Sequence, residues 1–167
     1  MPYLGACPFN TSPLAQASGS LPATTRPNER VHIDLFGPLK TSTQGNNFVL
    51  VYTDAFTRFC RLTAIPDKSA STVADAILHW IYLFGVPNTI LSDQGKEFCN
   101  DLAANIYDTL DINHATTTPY HPQCNSFAER FNRTMINFIR RAAFDSDKSS
   151  LDWHCLLYTS PSPRDRG

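Results

Sequence analysis

The chain has no excess of either charge: 14 Lys plus Arg stand against 15 Asp plus Glu in 167 residues, for a formal net charge of −1. A protein that grips nucleic acid by bulk charge is more basic, so a DNA partner would have to be met by basic residues gathered locally. Cysteines are scattered: Cys7, Cys60, Cys99, Cys124 and Cys155 are odd in number and never stand as CxxC. That argues against a disulfide framework and against a complete zinc module within this chain, and fits reduced thiols in an intracellular protein. No apolar run reaches the roughly 18 residues of a membrane span. The start lacks the basic residues and apolar stretch of a secretory signal. There is no internal repeat and no heptad pattern. What is present is 42% hydrophobic residues, enough for the core of one domain and too many for a wholly disordered chain.

The first residues are rich in Pro, Ser, Thr and Ala without a sustained period, so residues 1–28 read as a disordered linker ahead of a core over 29–154. Val31, Ile33 and Leu35 alternate on one face of a strand that Gly37-Pro38 stops. Gln44 to Asn47 is a turn, Phe48–Thr53 a second strand, and Phe59–Ile65 a third, which together predict an antiparallel meander. The period then lengthens. Val73, Ala76, Ile77, Trp80, Ile81 and Phe84 fall at helical spacing, with Ser69 or Ser71 to cap the start and Gly85 with Pro87 to end it. A short strand at Thr89–Leu91, a helix over Phe98–Leu110, a strand at Ile112–Thr116 and a long helix from Asn125 to Phe144 complete the pattern. Three antiparallel strands followed by alternating helices and strands make an α/β fold, a five-stranded mixed sheet flanked by helices. A helix around Leu151–Leu157 breaks off into an aperiodic end resembling an adapter-derived tail, so residues 155–167 are read as non-native.

Three carboxylates stand where these elements would gather them. Asp34 lies mid-strand on the face opposite Val31 and Ile33, where a strand interior disfavours it and nothing local pairs with it. Asp93 follows the end of a strand, where ligand sites of α/β sheets form. Glu129 lies in the first turns of the long helix. Taken singly, an Asp after a strand also serves a turn and a Glu early in a helix also complements its dipole. Together, carboxylates from separate elements can hold a pair of Mg²⁺ ions about 3.5–4 Å apart, with no His or Cys needed.

The flanking words carry a resemblance. Asp93 and Glu129 have 35 residues between them. Around them stand His32-Ile33-Asp34-Leu35-Phe36-Gly37-Pro38-Leu39, Leu91-Ser92-Asp93-Gln94-Gly95-Lys96-Glu97-Phe98, Pro119-Tyr120-His121-Pro122-Gln123 and Ala128-Glu129-Arg130-Phe131-Asn132-Arg133-Thr134. In order and spacing these resemble the D,D-35-E integrases of gypsy-like LTR retrotransposons and retroviruses, over about residues 28–157. The resemblance implies a ribonuclease H-like fold, with Asp34, Asp93 and Glu129 as ligands of two Mg²⁺ ions that Mn²⁺ could replace. It implies trimming of an element's DNA 3′ ends and transfer of the freed hydroxyl to target DNA, hence DNA as partner, at least a dimer, and nuclear action in a eukaryotic host. A ribonuclease H-like nuclease, and a decayed or domesticated core that only binds DNA, are the alternatives. Ser126 stands where many relatives have Gly. Counterparts of the N-terminal zinc module and the C-terminal DNA-binding module are missing, so the resemblance implies a fragment.

The long helix supplies the local charge that the composition lacks. At about 100° per residue, Phe127, Phe131, Met135, Phe138, Ile139 and Ala142 take one side; Arg130, Arg133, Arg140 and Arg141 gather with Asn137 on the other. Beside Glu129, Arg130 and Arg133 are expected at phosphates, although a basic stripe is also an ordinary solvated face. Tyr120, His121, Gln123 and Asn125 form a loop able to stack on or hydrogen-bond a splayed DNA end, with His121 shaping the loop rather than binding metal. Lys96 and His114 are further candidates to approach DNA. Asp54 is expected to serve the connection between strands, and Trp80 the core.

Overall fold

Val31 and Ile33 alternate with His32 and Asp34, and in the computed structural model this stretch is the strand β1 (Arg30–Phe36). The structure describes residues 22–116 together with Asn137 and Trp153. β2 (Phe48–Asp54) and β3 (Cys60–Ile65) follow as an antiparallel meander. Helix α1 (Ala70–Phe84) leads to β4 (Thr89–Ser92), and α2 (Asp101–Thr109) leads to β5 (Asn113–Thr116). The strands form one sheet in the order β3-β2-β1-β4-β5, in which β1, β4 and β5 run parallel. The mixed five-stranded sheet expected from the change of period is the one observed.

Both faces of the sheet centre are covered. Val31, Ile33, Leu50, Tyr52, Ile65 and Ile90 pack in one cluster with Val73, Ile77 and Trp80 of α1 and Ala103 and Tyr107 of α2. Val49 and Val51 point the other way, against Trp153, whose indole N–H donates to the Lys40 carbonyl at 2.8 Å. Burial on both faces is why β2 reads as a continuous apolar run rather than an alternation. Each of the buried Val, Leu and Ile side chains contributes roughly 1.5–3 kcal/mol relative to exposure.

The helix ends follow from local chemistry. Ser69 caps α1 by accepting from the Thr72 N–H, and Gly85, at φ 85°, closes it with an N–H to the Ile81 carbonyl. The second helix starts later than its periodicity predicts, at Asp101 rather than Phe98. Asn100 accepts from the Ala103 N–H and so sets the start, while the N–H groups of Phe98 and Cys99 bond the Gly95 carbonyl in a preceding turn. Phe98 still joins the core at 1% exposure, which is what its apolar spacing had signalled.

At the end of the sheet where β1 begins, Asn28 joins three elements. Its backbone is left-handed at φ 59°. Its Nδ2 donates to the carbonyls of Phe84 (3.1 Å) and Gly85 (3.0 Å), its Oδ1 accepts from Trp80 Nε1 (3.2 Å), and its N–H donates to Asp54 Oδ1 (2.9 Å). Asp54 Oδ2 also accepts from the Thr57 N–H and hydroxyl, so this carboxylate serves the β2–β3 connection as expected.

Candidate functional site

Two of the three expected carboxylates, Asp34 and Asp93, come level at the opposite end. β1 pairs with β4 in parallel, Arg30 with Thr89, Val31 with Ile90 and His32 with Leu91. Carried two residues further, that register sets Asp34 level with Asp93, just past the last paired residues. β2 and β3 lie on one side of β1, β4 and β5 on the other, so this is where strand order reverses, the place at whose carboxyl ends open α/β sheets bind ligands. Asp34 pairs across the sheet with Val51, on the face that Trp153 covers.

Burial first, and the negative charge of Asp93 second, hold the Asp34 carboxyl above the ordinary carboxylate range, with a backbone hydrogen bond from Leu35 pulling the other way. The exposed Asp93 and the half-buried Asp34 thus repel each other. Asp93 itself is exposed, and its Oδ1 accepts from the Gly95 N–H at 2.9 Å. A Cβ on Gly95 would sit 2.9 Å from Asp93 Oδ1 and 2.8 Å from Glu97 Cδ, so glycine lets both carboxylates close over this turn. Sequence reading singled out neither Gly95 nor Glu97; the Asp-x-Gly turn was the available signal for the first. Lys96 is exposed in the same turn.

His32, two residues before Asp34 on β1, is pushed down to about 4 by burial, then by Arg30 and Arg58, with Asp54 pulling the other way. His114 is also pushed down to about 4, by burial alone. Its ring lies on Tyr107 with centroids 4.6 Å apart, and its Nε2 is 2.8 Å from Ser92 Oγ. This candidate to approach DNA has its ring engaged within the fold.

Glu129 and the expected DNA-contacting residues Tyr120, His121, Gln123, Asn125, Arg130 and Arg133 lie outside the described residues. Asn137, from the same predicted helix, is helical and exposed. Among the described residues no three His, Cys, Asp or Glu side chains are grouped to hold a metal ion. The pair present is nevertheless suited to one: its donors are all oxygen, and a hard cation such as Mg²⁺ would offset both the burial and, after it, the Asp93 charge that raise Asp34. No helix among the described residues is long and apolar enough to cross a membrane.

Known proteins are similar to this chain. The retrovirus-related Pol polyprotein from transposon 412 of Drosophila melanogaster is 33% identical over 130 residues, 77% of this chain and 10% of that protein. Mouse gypsy retrotransposon integrase-like protein 1 is 33% identical over 87 residues, 52% of this chain and 17% of that protein. The chain therefore spans a small part of the length of these relatives. Among solved structures, the HTLV-2 integrase catalytic core domain in complex with magnesium (trimeric form) superposes with a TM-score of 0.60 at 19% identity, covering 80% of this chain and 82% of that one. The catalytic core domain of BIV integrase superposes with a TM-score of 0.61 at 22% identity, covering 78% and 79%. The likeness establishes the ribonuclease H-like fold of retroviral integrase cores. The model of the integrase core domain matches residues 24–122, which span the whole sheet and include both aspartates, and the chain belongs to that family.

Proposed function

We propose that this chain performs polynucleotidyl transfer on DNA, trimming the 3′ ends of an element and joining them to target DNA. The observation that carries the reading is the β1–β4 register, which sets Asp34 and Asp93 level at the open end of two parallel strands, in mutual repulsion. Asp34, Asp93 and, from its spacing in the sequence, Glu129 would hold two Mg²⁺ ions, with Mn²⁺ as substitute. When bound, the metal supplies an activated oxygen nucleophile and neutralises charge at phosphorus. The relative with a magnesium-bound core supports that assignment. The protein's own part is placement: the sheet fixes Asp34, and the Gly95 N–H fixes Asp93 Oδ1. Lys96, exposed beside Asp93, meets DNA phosphates, joined by Arg130, Arg133 and the loop residues Tyr120, His121, Gln123 and Asn125. Concerted joining of two ends needs at least two copies, and the HTLV-2 core has been solved in dimeric and trimeric forms. Acting on host DNA, the protein would work in the nucleus of a eukaryotic host.

The test uses a branched DNA that mimics a strand-transfer product, with Mg²⁺ or Mn²⁺. The wild-type chain is expected to reseal it only with metal. Asp34→Asn, Asp93→Asn and Glu129→Gln should each lower the rate by at least about 100-fold, since a direct ligand matters more than the groups that orient one. Cleavage without resealing would make the chain a nuclease instead. Resealing that survives Asp93→Asn would sink the reading.

A further inference from the structure

Asp93 is gripped from two sides, and only one grip is visible in its own turn. On the solvent side the Gly95 N–H holds Oδ1. On the inner side, Ser92 ends β4 and is 2% exposed. Its Oγ lies 2.7 Å from the Asp93 carbonyl oxygen and 2.8 Å from His114 Nε2. Two oxygens that close need a proton between them, and the serine hydroxyl has one to give. It goes to the Asp93 carbonyl, so the serine oxygen accepts from a proton on His114 Nε2. The ring can supply it, because burial keeps the imidazole neutral with a pKa of about 4, leaving one ring proton to place. β5 sets the ring in position: His114 pairs with Ile90, two residues before Ser92, and its ring lies tilted against Tyr107 of α2.

We propose that His114 and Ser92 are positioning residues for Asp93, a relay in which Nε2–H of His114 donates to Ser92 Oγ and the Ser92 hydroxyl donates to the Asp93 carbonyl. The relay ties the peptide that follows Asp93, just past the end of β4, to β5 and α2, so the carboxylate projects from a fixed backbone rather than a free strand end. This rests on the proposed role of Asp93 as a ligand. Partners that orient a ligand without touching the metal are worth about ten-fold or more in metal affinity.

The experiment measures Mn²⁺ binding by the full chain calorimetrically, alongside kcat and KM for resealing, in His114→Phe, Ser92→Ala, the double variant, and two conservative variants. His114→Phe keeps a ring on Tyr107 and removes the donor. Folded His114→Phe and Ser92→Ala should each bind Mn²⁺ about ten-fold more weakly and lose kcat while KM for DNA stays within about two-fold. Ser92→Thr and His114→Gln, which keep a hydroxyl and a side-chain N–H, should restore most of the affinity. The double variant should be no worse than Ser92→Ala, because the two act as one chain. Wild-type affinity in folded His114→Phe, or additive losses in the double variant, would overturn the relay. Nitrogen NMR of the wild-type ring covers the case in which variants fail to fold: the proton belongs on Nε2, and finding it on Nδ1 is equally fatal. Asp93→Asn separates the two levels. If it abolishes Mn²⁺ binding while His114→Phe does not weaken it, only the relay is wrong; if Asp93→Asn binds normally, the ligand assignment fails with it.

Discussion

At Asn28 a left-handed backbone aims one carboxamide at the end of α1 and at the indole of Trp80, while the same residue's N–H reaches Asp54. Asparagine tolerates that backbone better than other residues with a Cβ. Asn28→Ala would leave the Trp80 N–H without its acceptor and force Ala into φ > 0, at a cost of about 2–4 kcal/mol, read as a lowered urea midpoint with an unchanged slope. A loss below about 1 kcal/mol would mean the clip is incidental. Nothing near Asn28 in the sequence marked it, because its partners lie 26 to 57 positions away. Asp34 was different. Its chemistry conflicted with its own strand, and a local conflict is visible in the sequence without the fold.

Among the elements, α1 was the most legible. Its apolar period, its cap at Ser69 and its stop at Gly85 are all local signals, and all three are present in the structure. Trp80, 3% exposed and stacked on Tyr52 at a centroid distance of 5.0 Å, anchors it to the sheet. Trp80→Ala should cost about 3–5 kcal/mol, whereas Ser69→Ala should cost only about 1 kcal/mol, as a lost cap does. Thermal melts of the two variants would check that order, and equal losses would contradict it. The start of α2 was less legible, since Phe98 obeys the helical period while sitting in the turn before the helix. Periodicity reports which side chains are buried; the cap at Asn100 reports where the helix begins.

For the whole molecule, buried titratable groups set the response to acid. His32 and His114 are held near 4 against an ordinary 6.5, so the unfolded chain takes up protons that the fold refuses. Their contribution is present above about pH 6.5 and is lost as pH falls through about 4. Asp34, held high, works in the opposite sense: its contribution is greatest at low pH and is lost as pH rises through its folded value. Through the histidines the fold should lose stability between pH 7 and 5 by roughly 1–2 kcal/mol per histidine after allowing for partial exposure. Urea titrations at the two pH values should show that loss, and His114→Phe should remove about half of it. An acid sensitivity unchanged by the substitution would assign the effect elsewhere.

The sequence by itself determined the element types, the apolar faces, the suspicion attached to Asp34 and the spacing from Asp93 to Glu129, because periodicity, caps and motif spacing are properties of neighbours along the chain. Tertiary structure alone decided that Asp34 and Asp93 stand level and that His114 turns inward to Ser92. Those facts depend on strand order and register, which bring together residues 22 to 59 positions apart, and no local pattern encodes which strand pairs with which.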